Sequence, residues 1–222
     1  RLFRNVRKFT WTAAGEYVEN GAGTVESRSL DGHGDAEFAN SDKLSVDASL
    51  NYDFLTSPFT PSGSPTAIAA GGYTYSNVTV GYAFGAQRAA SGTVSVQIGE
   101  YYDGTIRSIT IGPGNSFAPG RISILQRLAI EPTFSVTSVD RSTGSFTTRL
   151  ARTRVDYGFS PLMFASALLQ YSSADRAFST NLRFRWEYAP GSELFLVYTD
   201  ERDTTEDMYA TATTVRGLKN RA

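Results

Sequence analysis

The sequence predicts an all-β protein, an antiparallel up-and-down transmembrane β-barrel with about 11–12 strands visible, forming part of a larger barrel. Three observations carry that expectation. Side chains alternate between apolar and polar with period two along most of the 222 residues, which marks two-sided strands and not helices. The alternating runs extend to about 10–13 residues, beyond the mode of about 5–6 in globular sheets and suited to the roughly 9–11 residues of a tilted strand crossing a bilayer. Aromatic rings gather near the ends of the apolar faces, where a headgroup-level belt places them.

In chain order, Phe9, Trp11, Ala13 and Tyr17 oppose Lys8, Thr10, Thr12 and Glu16. A weaker strand covers Val25–Phe38. Leu44, Val46, Ala48, Leu50, Tyr52 and Phe54 then oppose Ser45, Asp47, Ser49, Asn51 and Asp53. Val78, Val80, Tyr82 and Phe84 oppose Asn77, Thr79 and Gly81, and Val94, Val96 and Ile98 oppose Thr93, Ser95 and Gln97. Gly104–Gly112 is a second weaker strand. Leu128, Ile130, Phe134 and Val136 oppose Glu131, Thr133, Ser135 and Thr137. Val155, Tyr157 and Phe159 oppose Arg152, Arg154 and Asp156. Met163, Ala165, Ala167, Leu169 and Tyr171 share a face, with Phe164 and Leu168 spoiling the polarity of the other. Ala177 to Tyr188 is the clearest run: Thr180, Leu182, Phe184, Trp186 and Tyr188 against Ser179, Asn181, Arg183, Arg185 and Glu187. Wound as a helix, its arginines would spread around the cylinder. Gly191–Asp200 is a third weaker strand, and Leu218 to Ala222 reads as the start of another.

The connections divide into two interleaved sets. Asn40–Asp42, Gly85–Gln87, Phe117–Gly120, Phe159–Pro161 and Ala189–Gly191 read as tight turns from their Gly, Pro, Asn, Asp and Ser content. Glu19–Gly23, Leu55–Gly72, Tyr102–Gly104, Asp140–Gly144, Ser172–Arg176 and Asp200–Arg216 read as longer or more polar loops.

Composition removes many chemistries. Lys+Arg 21 against Asp+Glu 22 leaves a net charge of −1, with no basic field for nucleic acid. The absence of cysteine excludes disulfides, iron–sulfur ligation and thiol nucleophiles, and the single histidine excludes multi-His metal sites. No run of about 18 apolar residues exists to span as a helix. Phe54 to Gln87 is uncharged but rich in Ser, Thr, Gly, Pro and Tyr. Residue 1 is Arg, and no signal-peptide pattern follows it. A mean hydropathy of −0.25 suits a barrel, which turns apolar side chains outward on only half of each strand.

Several groups stand out. Tyr17, Tyr52, Phe54, Tyr82, Phe84, Tyr157, Phe159, Trp186 and Tyr188 are the expected aromatic girdle. Arg152, Arg154, Asp156, Arg183, Arg185 and Glu187 are the expected charge cluster of the lumen, either an anion-selecting ring or charges that satisfy one another across neighbouring strands. His33 shares a strand face with Asp31, Asp35 and Glu37, but a metal needs ligands from more than one element. Asp200–Asp203 with Glu206 and Asp207 reads as a solvated acidic loop that fits no calcium motif. No Gly-x-Ser-x-Gly elbow or phosphate loop occurs, and Gly112-Pro113-Gly114 lacks the later glycine of a dinucleotide loop. The glycosylation-like triplet Asn77-Val78-Thr79 falls inside a strand. The expectation is a non-enzymatic segment with no catalytic residue, metal or cofactor.

Toward the C-terminus the residues become more specific. Gly144–Leu150, Ser160–Tyr171 and Asn181–Tyr198 follow in order, preceded by Ser91–Ser95 and Tyr101–Gly104. From about Asp35 to Ala222 the chain resembles the C-terminal barrel region of a family of bacterial outer-membrane proteins of uncharacterised function. The N-terminal part of that family resembles a family-9 carbohydrate-binding β-sandwich. The resemblance implies a Gram-negative outer membrane, lipid as partner, and contacts with other outer-membrane or periplasmic proteins. It also implies that residues 1–222 are the C-terminal part of a barrel, with an upstream domain, earlier strands and an aromatic-ended last strand lying outside them. It brings no catalytic residue and no sugar-binding residue. The function expected is a channel, a transport component or a membrane platform for a periplasmic or surface domain. Its rival is a soluble or secreted β-rich module that binds glycans or protein, with the aromatics stacking on sugars or filling a core.

Overall fold

The structure, a computed structural model, describes residues 5–85, 87, 91–112, 122–125 and 127–204. Its strands are β1 (Val6–Glu19), β2 (Val25–Phe38), β3 (Lys43–Leu55), β4 (Gly71–Ala83), β5 (Thr93–Tyr101), β6 (Gly104–Gly112), β7 (Ile122–Leu125), β8 (Leu128–Arg141), β9 (Phe146–Ser160), β10 (Met163–Ser172), β11 (Ala177–Ala189) and β12 (Ser192–Asp203). All belong to one antiparallel sheet, in the order β1-β2-β3-β4-β5-β6-β8-β9-β10-β11-β12, with the four-residue β7 pairing β8 off this path. Each long strand pairs with its neighbours in sequence. This is an up-and-down meander, and no helix occurs among the described residues.

The register follows the alternation. Trp11 lies opposite Gly34, Gly34 opposite Val46, Val46 opposite Val80, Val80 opposite Val96, Val96 opposite Ile109 and Ile109 opposite Val136. One residue along, Thr12, His33, Asp47, Thr79, Gln97, Ser108 and Thr137 make the corresponding row on the other face. A slip of one residue in any strand would exchange its two faces, so the apolar pattern holds the pairing.

Connections 20–24, 56–70, 102–103, 142–145 and 173–176 lie at one end, here the near end; 39–42, 161–162 and 190–191 lie at the far end, with Phe84 and Gly85 after β4 and Ser91 and Gly92 before β5. The two expected sets fall at opposite ends, as their interleaving requires, with differences in length. Tyr102-Asp103 is a two-residue turn with Tyr102 at φ 48, and the connection at 84–92 is long. Asp200–Asp203 is not a loop but the end of β12, paired with Ala177–Thr180 of β11, because β11 extends far enough to keep its partner in register. Glu206, Asp207, Phe117–Gly120, Pro113-Gly114 and Leu218–Ala222 lie outside the described residues.

At the far end Asp42 ties β2, β3 and β4 together. Its carboxylate accepts hydrogen bonds from Asn40 Nδ2, Tyr82 Oη and the Gly85 amide, each at 2.8 Å. A buried charge is tolerable only when satisfied in this way.

The sheet is a single layer. Ile68, Ala129 and Val139 are the buried hydrophobic residues among those described. The chain presents 15743 Å² to solvent, well above the roughly 10,000 Å² of a compact monomer of this mass. The sheet does not close on itself: β1 and β12 end it as edges, each paired on one side only.

Candidate functional site

The apolar face is continuous and nothing covers it. Trp11 is 84% exposed, and Leu30, Val46, Leu50, Val80, Ile98, Ile109, Ile111, Leu182 and Leu196 all stand in the open. Soluble monomers rarely expose contiguous apolar patches beyond a few hundred Å².

All nine residues of the expected girdle lie on this face, in two rows. Tyr17, Tyr52 and Phe54 stand toward the near end. Tyr82, Phe84, Tyr157, Phe159, Trp186 and Tyr188 stand toward the far end. Neighbouring rings in the far row meet edge to face: Tyr82 and Phe84 at 5.2 Å, Tyr157 and Phe159 at 4.7 Å, Trp186 and Tyr188 at 6.0 Å. In the near row the Arg28 guanidinium lies 5.1 Å from the Tyr52 ring centroid.

The opposite face is polar, and its charges lie in two zones, each of mixed sign. β2 and β3 carry Asp31, Asp35, Glu37, Asp47 and Asp53 there, with His33 and Lys43. The polar faces of β4, β5 and β6 carry no charge at all; Asn77, Thr79, Ser95, Gln97, Ser108 and Thr110 occupy their middles. Hydroxyls bridge onward to β8, Ser108 to Thr137 at 2.8 Å and Thr110 to Ser135 at 2.9 Å. β9 and β11 then carry Arg152, Arg154, Asp156, Arg183, Arg185 and Glu187, so all six residues of the expected cluster share one face.

Two of these arginines are ion-paired. Arg154 meets Asp156 of its own strand at 3.0 Å, and Arg185 pairs with Glu193 of β12. Arg152 and Arg183 have no carboxylate partner among the described residues; Arg183 Nε donates to Asn181 Oδ1 at 3.0 Å. On the acidic side His33 bridges two strands, Nδ1 to Asp47 at 2.6 Å and Nε2 to Asp35 at 3.3 Å. No group of three or more metal-type ligands is assembled among the described residues.

The sequence reading missed the best-ordered feature of the polar face. Residues 56–70 do not project from the near end; they fold inward along the near-end rim of the polar face as a strap. Gly63 reaches the far side of the sheet, and a Cβ there would stand 3.0 Å from Thr148 Cγ2 and 3.4 Å from Ala174 Cα. With φ 81 as well, the position requires glycine. An antiparallel bridge between Phe59 and Ile68 stiffens the strap, and Ile68 is wholly buried.

Arg141, at the end of β8, is the clamp. Its side chain is 1% exposed. Nε and Nη2 donate to the two carboxylate oxygens of Asp103 at 2.6 and 3.1 Å. Nη1 donates to the Thr66 carbonyl at 2.9 Å, and to Thr66 Oγ1 and Ser64 Oγ, while Nη2 also donates to the Ala67 carbonyl at 3.0 Å. A planar fork with five N–H groups suits this task, because it grips a carboxylate and the strap backbone together.

Four tyrosines line the rim beside the clamp. Tyr102 packs against Tyr73, Tyr75 and Tyr101 at 5.5, 5.0 and 5.1 Å. Tyr75 donates to Asp53 at 2.6 Å, and Tyr73 donates to the Ala69 carbonyl of the strap at 2.9 Å. A strap tied to β4 through Tyr73, to β8 through Arg141 and to the turn after β8 through Thr143, with Gly63 against β9 and the turn after β10, makes the sheet curve with its polar face concave.

The Arg141 guanidinium holds the Asp103 carboxyl below the usual aspartate range, against the opposing effect of burial. A depressed carboxyl contributes stability above its unfolded pKa of about 3.9 and loses it as pH falls through the lower folded value. The strap is therefore expected to resist pepsin at pH 4 and to become cleavable within residues 56–70 only under stronger acid.

No protein family, curated protein or solved structure matches this chain.

Proposed function

We propose that the chain is the membrane-spanning part of a bacterial outer-membrane β-barrel, as the resemblance in its C-terminal half implies, and that this barrel serves as a channel for small solutes. The carrying observation is the uncovered apolar face bounded by aromatic rows at both ends and backed by a polar concave face. In hydrocarbon every backbone N–H and C=O must be paired, which a sheet achieves only by closing. Leu44 to Phe54 spans about 33 Å at about 3.3 Å per residue, or roughly 25 Å of height at a tilt near 40°, the height of a barrel's apolar band.

The path contains an odd number of long strands, so β1 and β12 run in the same direction. Antiparallel closure therefore needs an odd number of further strands between them, giving an even total as in bacterial single-chain barrels. A direct β1–β12 seam would be parallel, and so would both seams of a barrel built from two copies around a common axis.

The two tryptophans of the chain, Trp11 and Trp186, report on the proposal without substitution. In vesicles of lipids brominated on their acyl chains, the fluorescence of both is expected to be strongly quenched. Emission unaffected by bromine, from protein that stays in buffer without detergent, would favour a soluble glycan- or protein-binding module instead.

A further inference from the structure

The polar face has one apolar patch. Among the described strands, the large apolar side chains exposed on that face are Phe164 of β10 and Phe195 and Val197 of β12, apart from Val18 at the near end of β1. Phe195 and Val197 are 61% and 66% exposed. Leu194 to Tyr198 are apolar in unbroken succession, so both faces of β12 are apolar there. A strand of that composition is suited to being covered on both sides. Lipid covers one; the side turned to the cavity calls for an apolar occupant of its own.

The patch surrounds an arginine. Arg183 of β11 lies opposite Ser166 of β10 and Val197 of β12, with Phe164 and Leu168 diagonal to it on one side and Phe195 and Thr199 on the other. Opposite side chains on a strand face stand about 5 Å apart and diagonal ones about 7–8 Å, so no acid belongs to this ring of neighbours. The acids of the same zone are engaged or remote. Glu193 pairs with Arg185 and Asp156 with Arg154, Glu131 lies opposite Arg154, and Glu187 and Glu201 stand further along β11 and β12. A cation bordered by apolar side chains loses part of its hydration and gains no counter-charge in return. Arg183 Nε donates to Asn181 Oδ1 at 3.0 Å, which orients the fork and leaves its terminal nitrogens without a hydrogen bond among the described residues.

We infer that Arg183, Phe164, Phe195 and Val197 form a binding site inside the cavity for small carboxylates with an aromatic body. The carboxylate takes the free end of the Arg183 fork, whose planar geometry matches it. The ring lies on Phe195 and Val197 and reaches toward Phe164, where ring contacts add to the area buried. Arg185 does not compete for the carboxylate, because Glu193 holds it; its Cζ lies 5.9 Å from the Phe195 ring centroid and closes the patch on that side. A short acid brings the charge without the body, and an aryl alcohol the body without the charge, so neither satisfies both halves of the site. The inference names a solute class for the proposed channel and rests on that reading for the enclosure of the polar face.

The test is calorimetric titration of the protein in vesicles with phenylacetate near neutral pH, with protein-free vesicles as the blank. Saturable binding is expected, about tenfold or more tighter than that of acetate or benzyl alcohol. Ion current through planar bilayers holding the protein is expected to fall over the same range of phenylacetate. Arg183→Gln and, separately, Phe195→Ser/Val197→Ser are each expected to weaken binding about tenfold. Heat-modifiable migration on gels confirms that each variant is folded, and the comparison of the three ligands needs no variant. Equal affinity for acetate or benzyl alcohol, or an affinity unchanged in Arg183→Gln, would overturn the inference and leave the channel intact. So would a lack of saturable binding in protein that passes ions, and the patch would then be the seat of a covering protein segment. Saturable binding without any ion current would overturn the channel reading and leave the site standing.

Discussion

Leu182→Arg is expected to destabilise the protein in lipid by about 2–4 kcal/mol, the cost of a cation near the bilayer midplane. Leu182 sits in the middle of β11 on the apolar face, between Ala167 of β10 and Tyr198 of β12. Its neighbours are apolar side chains and no carboxylate faces it there. Gln97→Arg, in the middle of β5 on the polar face, is the matched control and is expected to cost less than about 1 kcal/mol, because the guanidinium stays in water. Urea unfolding in vesicles, followed by heat-modifiable migration, measures both. The sign of the difference is decisive. If the apolar face met water or another protein layer open to solvent, Leu182→Arg would be close to neutral, since Leu182 is already 41% exposed.

Arg141→Met is expected to release the strap. The substitution keeps an unbranched side chain in the buried channel but removes every donor that holds the Asp103 carboxylate and the Thr66 and Ala67 carbonyls. Breaking a buried, hydrogen-bonded ion pair from one side costs about 3–5 kcal/mol; Asp103 keeps some contact with water, which places this case at the lower end. The loss should be local. Protease cleavage within residues 56–70 should become rapid while the strands keep their heat-modifiable migration. Conductance should rise, because the strap lies along the near-end mouth of the polar face. Asp103→Asn retains an acceptor for Arg141 and should produce a weaker form of both effects. An uncut strap and unchanged conductance in Arg141→Met would show that Ile68 and the Phe59–Ile68 bridge hold the segment unaided.

The long strands and their two faces were legible because alternation is a local property. Once Leu182 and Arg183 point to opposite sides, every residue of β11 is assigned, and its neighbours follow by register. The weak strands Val25–Phe38 and Gly104–Gly112 formed for a different reason: glycines at 32, 34, 104 and 112 blur their apolar pattern, but strong strands on one or both sides pair them. β7 escaped notice because four residues carry no period. Asp200–Asp203 looked like a loop from its charge, yet the end of a strand beyond an apolar band is where charge costs least.

The strap was half visible. An uncharged stretch from Phe54 to Gln87 stood out in composition, and nothing local said that residues 56–70 would turn inward. Arg141 was less visible still. It is one polar-face arginine among several, and only the inward turn of the strap makes it the buried one.

The sequence by itself determined the strand content, the meander order and the side of the sheet on which each residue stands, because each follows from period two and short connections between neighbours. Only the tertiary structure decided where the strap docks and which arginine is buried. Those depend on the curvature of the whole sheet, a sum over many strand pairs that no single segment encodes.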